Sequence, residues 1–154
     1  MTDDDATRLR RLLWLAAALA AFSSLAFAFA SPAHVEDGWE YRGFFLLIAA
    51  AEMALAVALL AWSRRSEPMS ERDLRGLHGI VVVGAVIAAA GVIGYVFTLV
   101  TGIQHQGHSP ESIAAGPAPL DLVTKVAEAA LVIVLAWLAM LTSAEDPDPA
   151  VQVE

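Results

Sequence analysis

Cysteine is absent from this chain of 154 residues. The absence excludes disulfides, thiolate metal sites and cysteine catalysis. Charge is scarce as well, because 17% of the residues are charged, whereas a soluble domain carries about 25%. Basic residues are outnumbered, with 9 Lys and Arg against 17 Asp and Glu. Since phosphate binding needs a basic surface, this balance argues against nucleic acid as a partner.

The acid excess lies mostly near the two ends of the chain and gives a net charge of −8. An acidic, alanine-rich composition with a single lysine resembles that of halophilic proteins, where surface charge keeps the protein soluble in salt. A GC-rich genome also favours Ala and Arg, and this is the alternative explanation of the composition.

Apolar residues make up 58% of the chain and collect in four long runs, at 12–31, 43–62, 79–103 and 120–141. Each run is about as long as the roughly 20 residues that a helix needs to cross a bilayer. The pattern predicts an all-α integral membrane protein with four transmembrane helices in a single domain, 12–141. The segment 1–11 is then a short N-terminal region. The acidic tail 142–154, with Asp-Pro-Asp-Pro, is predicted to be disordered.

The first run has an alternative interpretation as a secretory signal. Three arginines precede it, and Ala28, Phe29 and Ala30 match an A-x-A cleavage site. The run is, however, longer than the usual apolar region of about 7–15 residues. We interpret it as a retained first helix, with cleavage as the alternative.

Arginines are distributed unevenly between the two sides of the predicted membrane domain. On one side the connections 32–42 and 104–119 contain only Arg42. The other side carries seven, Arg8, Arg10, Arg11, Arg64, Arg65, Arg72 and Arg75. By the positive-inside rule, both termini and the loop 63–78 are predicted to be cytoplasmic, in a multi-pass protein of the cell membrane. The short loops favour an antiparallel bundle.

The two halves of the chain resemble each other. Residues 51–62 read AEMALAVALLAW and residues 127–137 read AEAALVIVLAW. Their alignment pairs Glu52 with Glu128, and alignment of the ends of the first and third runs pairs His34 with His105. This similarity predicts two tandem helical hairpins related by a pseudo-two-fold axis along the membrane normal. Since alanine-rich segments align readily, chance similarity is the alternative.

Two local patterns concern how the helices begin and pack. Ser70 and Asp73 loosely match a capping box, which predicts a helical extension before the third run. Small residues recur every four positions in the second and third runs and predict close helix contacts, within the bundle or with partner chains. These residues are Ala50, Ala54, Ala58, Ala90, Gly94, Thr98 and Gly102.

Two glutamates interrupt the apolar runs. Glu52 lies nine residues into the second run, which is about 14 Å deep at 1.5 Å per residue. Intramembrane acids mark proton, ion or ligand sites by default, and the competing interpretation is an interhelical hydrogen bond. Glu128 follows Lys125 by one helical turn, so we expect the two side chains to form an ion pair with each other. Lys125 can alternatively extend to the membrane boundary.

Histidines and one acid cluster on the predicted outer side, at His34, Glu36, His105 and His108. Imidazole and carboxylate bind zinc or copper, and the same residues can contact a quinol headgroup. A haem between helices needs histidines inside the spans, and these runs contain none, so a haem would have to lie at the outer edge. Since H-x-x-H in a loop has low specificity, ordinary loop histidines are the favoured interpretation.

Motifs of known enzymes and nucleotide-binding loops are missing from the sequence. We therefore expect a small non-catalytic membrane protein, a subunit or accessory factor of a larger respiratory or transport assembly, or a homo-oligomer. The first alternative is a redox protein with metal, haem or quinol at the outer histidines. The second is an oligomeric proton- or ion-coupled transporter with Glu52 as the coupling acid.

Overall fold

The computed structural model describes residues 3–30, 39–65, 69–101 and 119–143. Within these ranges the chain forms four α-helices, α1 (Asp3–Ala30), α2 (Trp39–Ser63), α3 (Glu71–Thr101) and α4 (Pro119–Thr142). Each contains a stretch long and apolar enough to cross a membrane, namely Asp4–Phe29, Leu46–Ser63, Glu71–Ile93 and Leu122–Thr142. The prediction of an all-helical protein with four candidate membrane spans is confirmed, and it indicates a multi-pass membrane protein.

Large apolar side chains face outward along the helices. Phe29 is 77% exposed, and Leu47 and Ile133 are each 68% exposed. A soluble monomer rarely exposes apolar side chains in such continuous belts. In a bilayer this arrangement costs nothing, since lipid tails are as apolar as the side chains they meet.

All four helices begin before their apolar runs, and α1 and α3 do so by the most. α1 begins at Asp3 and α3 at Glu71, so both extend well beyond the predicted spans. Ser70 caps α3, because its Oγ accepts from the Asp73 backbone N at 3.2 Å. Asp73 Oδ2 in turn accepts from the Ser70 backbone N at 3.2 Å and from Ser70 Oγ at 2.7 Å. The predicted extension is confirmed, with the reciprocal bonds of a capping box.

Helix α1 is central to the packing. It packs along α2 and against α4, while α3 packs along α4 and touches α2 at few places. Ala16, Ala17 and Ala20 of α1 are buried and allow the neighbouring helices to approach closely. The core contains side chains from every one of the four helices, including Leu13, Leu59, Leu77, Val81, Leu131, Leu135 and Leu138.

One end of the molecule collects arginines and tryptophans. The Cζ atom of Arg8 lies 4.6 Å from the centre of the Trp137 ring, and that of Arg64 lies 5.8 Å from the Trp14 ring. These contacts bring the beginning of α1 to the ends of α2 and α4. We call this end the basic face, and its exposed arginines are Arg8, Arg10, Arg11, Arg64, Arg65, Arg72 and Arg75.

The small-residue ridges of α2 and α3 lie largely outside the packed core. Ala50, Ala54 and Ala90 are exposed. The other three members of the α3 ridge, Gly94, Thr98 and Gly102, lie outside the residues whose burial the structure describes. On α2 the buried face instead consists of Ala49, Glu52, Ala56 and Leu59. Ala50, Ala54 and Ala90 therefore contribute little to the internal contacts and remain available to lipid or to a partner.

Candidate functional site

Both intramembrane glutamates are buried at the same place in the molecule. Glu52 is 2% exposed and Glu128 is 1% exposed. Ser23 and Lys125 join them, and we call these four residues the polar cluster. Ser23 lies on α1, Glu52 on α2, and Lys125 and Glu128 on α4. Two acids that are distant in the sequence thus share one site.

Lys125 and Glu128 form an ion pair across one turn of α4. Lys125 Nζ donates to Glu128 Oε1 at 3.0 Å and to Oε2 at 2.8 Å. The lysine side chain is 16% exposed, so little water reaches the pair. Its Nζ atom also lies 4.7 Å from the centre of the Phe27 ring, a favourable cation–π distance. The lysine charge is therefore directed to Glu128 and Phe27.

Ser23 lies beside both glutamates. Its fully buried Oγ donates to Glu128 Oε1 at 3.3 Å, and Glu52 is its neighbour on α2. A hydroxyl has one proton to donate. While Ser23 donates to Glu128, it can only accept from another group, and a carboxyl group can donate only when it carries a proton.

Glu52 has an unsatisfied oxygen. Its Oε2 atom is buried and has no hydrogen-bond partner among the described residues. A buried polar atom without a partner costs about 1–3 kcal/mol, and more when the group is charged. Glu128 differs, because Lys125 and Ser23 supply both of its oxygens with donors. Of the two acids, Glu52 is therefore the one with unused binding capacity.

The remaining helix and a second serine complete the walls of the site. A Cβ atom at Gly91 of α3 would lie 3.6 Å from Glu128 Oε2, so the glycine brings the α3 backbone close to the carboxylate. Ser24 Oγ donates to the Ala49 carbonyl oxygen at 2.7 Å and ties α1 to α2 beside the cluster. All four helices therefore meet around the two acids.

The sequence-predicted residues divide into two groups. Glu52, Lys125 and Glu128 come together in the polar cluster. His34, Glu36, His105 and His108 lie outside the described residues, and so their role remains a prediction. In the described part of the chain, no group of three or more His, Asp or Glu is placed to hold a metal ion.

Sequence analysis missed the contributions of Ser23, Ser24 and Gly91 to this site. The available signal was the pair of adjacent hydroxyls in the middle of a run without charged residues. Such a pair is ambiguous, because serine in a helix often bonds its own backbone. Only the packing of α1 against α2 and α4 shows that both hydroxyls point to neighbouring helices.

No family model matches the chain, and searches of curated proteins and of solved structures find no significant match.

Proposed function

We propose that the polar cluster is a proton-exchange site and that the protein is a proton-coupled membrane transporter that works as an oligomer. The observation that carries this proposal is the buried Oε2 atom of Glu52, which lacks a hydrogen-bond partner in the described part of the chain. Intramembrane acids of this kind are characteristic of proton relays. Glu52 is the coupling acid, and the other three residues set its surroundings.

The charge balance of the cluster favours the exchange of a single proton. The charges of Lys125 and Glu128 cancel, since Lys125 donates to both oxygens of that carboxylate. An ionised Glu52 would then leave one buried negative charge without compensation, which is strongly unfavourable. One proton on Glu52 removes that charge.

Loss of the proton would be accompanied by rotation of the Ser23 hydroxyl. In the protonated state Glu52 donates to Ser23, and Ser23 donates to Glu128. After deprotonation Ser23 donates to Glu52 instead, and Glu128 keeps its two bonds from Lys125. Hydroxyl hydrogens rotate to suit their partners, so the exchange needs no helix movement. Each turnover of the site releases one proton and takes one up.

The proposed transporter is an antiparallel four-helix bundle built from two tandem helical hairpins, with both termini in the cytoplasm. The seven arginines of the basic face support this orientation, because basic residues favour the cytoplasmic side. The location of one acid in each hairpin supports the pseudo-two-fold relation. Since four spans are few for a transport pathway, we propose that two or more chains assemble symmetrically.

Proton flux into proteoliposomes, followed with a pH-sensitive dye inside the vesicles, tests the proposal. We expect Glu52→Gln to reduce the flux at least tenfold, because the amide cannot exchange a proton. Glu71→Gln makes the same chemical change at an exposed position and should leave the flux unchanged. Unchanged flux in Glu52→Gln would contradict the transporter proposal.

Infrared difference spectroscopy tests the proton site separately from transport. We expect the carbonyl band of a protonated carboxyl to change with pH in the parent protein and to disappear in Glu52→Gln. A band that persists in this variant would show that another acid exchanges the proton. A carboxyl band that titrates in a protein without proton flux would support the proton-exchange site but contradict the transport function.

A second candidate function is that of a subunit or accessory factor of a larger membrane assembly. The exposed small residues Ala50 and Ala90 favour it, since small residues let a partner helix approach closely. Purification from native membranes in mild detergent should then yield the chain together with partner subunits in fixed stoichiometry. Recovery as a stable isolated monomer would contradict this function.

The redox function at the outer histidines remains a prediction. His34, Glu36, His105 and His108 are its candidate ligands for copper, zinc, haem or a quinol. A reduced-minus-oxidised absorption spectrum with metal analysis of the natively purified protein tests it. A Soret band or stoichiometric metal that is lost on His→Ala substitution would support it.

A further inference from the structure

An open apolar groove runs between α2 and α3, away from the polar cluster. Its volume is about 350 Å³, and it is lined by small and aliphatic residues that include Ala51, Ala54, Ala58, Gly79, Val83 and Gly84. The groove exists because α2 and α3 touch at few places. One of these places is Gly84, where the Leu55 side chain lies so close that an added Cβ atom would force it to shift.

The groove lies in the half of the membrane next to the basic face. Ala58 precedes the end of α2 at Ser63 by five residues. From Ala58 to Ala51 the groove covers seven residues, or about 10 Å at 1.5 Å per residue. That is about a third of the 30 Å hydrocarbon core. Its depth and length match those of the first part of an acyl chain in one leaflet.

Two arginines lie on α3 one and two helical turns before Gly79, the first α3 residue of the groove. Arg75 precedes Gly79 by four residues and Arg72 precedes it by seven, so both belong to the face of α3 that lines the groove. Both are exposed. The Trp62 side chain lies beside Gly76 in the same region, 3.9 Å from the position of an added Cβ. Tryptophan at this level is typical of the boundary between hydrocarbon and headgroups.

We infer that this groove holds one acyl chain of an anionic phospholipid whose phosphate group binds Arg72 and Arg75. Basic residues beside a cleft between transmembrane helices are a recurrent headgroup site for anionic lipids. Guanidinium groups match phosphate oxygens in charge and in geometry. The apolar lining accepts the chain, and the arginines supply the charge complement of the headgroup.

A second copy of the chain fits the groove less well. In a symmetric dimer with its axis along the membrane normal, the same surface of each copy forms the contact. The arginines at the mouth of the groove would then face the same arginines of the partner at the same depth. Like charges in contact are unfavourable, whereas an anionic headgroup neutralises them.

Native mass spectrometry of the full chain in mild detergent tests the inference, with phosphatidylglycerol and phosphatidylcholine of identical acyl chains as probes. We expect one phosphatidylglycerol per chain, bound more tightly than phosphatidylcholine. Replacing both arginines with glutamine, R72Q/R75Q, should weaken phosphatidylglycerol binding about 25-fold, or about fivefold for each basic residue. Binding of phosphatidylcholine should change little.

Two matched controls separate the groove from the rest of the surface. R8Q/R11Q also removes two charges from the basic face, but away from the groove, and should change phosphatidylglycerol binding less than fivefold. G79L fills the groove and should weaken the binding of both lipids, since an added Cβ at Gly79 meets nothing within 4 Å. G43L adds the same side chain at an equally open position outside the groove, and should weaken neither.

Three outcomes would overturn the inference. The first is equal affinity for the two lipids in the parent protein. The second is an equal loss of phosphatidylglycerol binding in R8Q/R11Q and R72Q/R75Q, which would indicate diffuse attraction to the whole basic face. The third is a lipid-free dimer that G79L converts to monomers, which would assign the groove to a second copy. Helix content measured by circular dichroism identifies any variant that fails to fold.

Discussion

Two ion pairs of equal length lie in opposite surroundings in this molecule. Lys125 and Glu128 are 2.8 Å apart in the polar cluster, with side chains 16% and 1% exposed. Arg65 and Asp73 are also 2.8 Å apart, on the basic face, with side chains 49% and 35% exposed. Distance alone therefore does not decide what a pair contributes. Water screens the exposed pair and can replace either partner, whereas nothing replaces a lost partner in the buried one.

The same contrast extends to the uncharged partners. Ser23 is fully buried and donates to the Glu128 carboxylate. Ser70 is exposed and bonds Asp73 at the start of α3. A change in the polar cluster is consequently expected to cost more than the matched change at the basic face.

The largest effect is expected for Lys125→Met. The substitution keeps an unbranched side chain but leaves the Glu128 carboxylate buried without its cation. Breaking a buried pair in this way costs about 3–5 kcal/mol. The free energy of unfolding, measured by titrating the protein in mixed micelles with a denaturing detergent, should fall by this amount.

A double variant provides the control for that prediction. Lys125→Met with Glu128→Leu removes both charges, and replacement of a whole buried pair by apolar residues is often neutral or stabilising. We expect it to regain most of the lost free energy of unfolding. If the single and double variants are equally destabilised, the loss comes from packing rather than from the unpaired charge.

An intermediate effect is expected for Ser23→Ala. It removes the hydroxyl between Glu52 and Glu128 and should lower the free energy of unfolding by about 1–3 kcal/mol. Ser24→Ala is the matched control on the adjacent residue. It removes a bond to the Ala49 carbonyl, which lies within α2, so the expected loss is about 0.6 kcal/mol, the average for a hydrogen bond between membrane helices. Equal losses of unfolding free energy in the two variants would contradict a special role of the Ser23 hydroxyl.

The smallest effects are expected at the basic face. Ser70→Ala removes the N-cap of α3 and should cost about 1 kcal/mol in the same unfolding measurement. Arg65→Gln breaks the exposed ion pair and should cause no measurable change, since water solvates both partners. If Arg65→Gln lowered the free energy of unfolding as much as Lys125→Met does, the expected difference between the exposed and the buried ion pair would be contradicted.

Sequence patterns predicted most of the fold because the bilayer imposes simple requirements on length and polarity. Four apolar runs became four helices, and the capping pattern at Ser70 and Asp73 predicted the early start of α3. The beginning of α1 at Asp3 was not predicted, because residues 3–11 are too polar to be recognised by hydropathy. The predicted orientation in the membrane remains a prediction.

The candidate site was only partly predictable. Glu52, Lys125 and Glu128 stand out in the sequence because charge in an apolar run is costly and therefore rare. Ser23 and Gly91 do not stand out, since serine and glycine are common in membrane helices. Their roles depend on which face of α1 meets α4 and on how closely α3 approaches Glu128.

The sequence by itself determined the number of helices, the acids within them and the collection of arginines near their ends, because hydropathy and charge are properties of the local chain. The tertiary structure alone decided that both glutamates are buried in one cluster, that Ser23 and Lys125 donate to Glu128, and that a groove remains between α2 and α3. These features depend on the rotation of each helix about its axis. That rotation is set by side-chain packing between helices, which no single segment encodes.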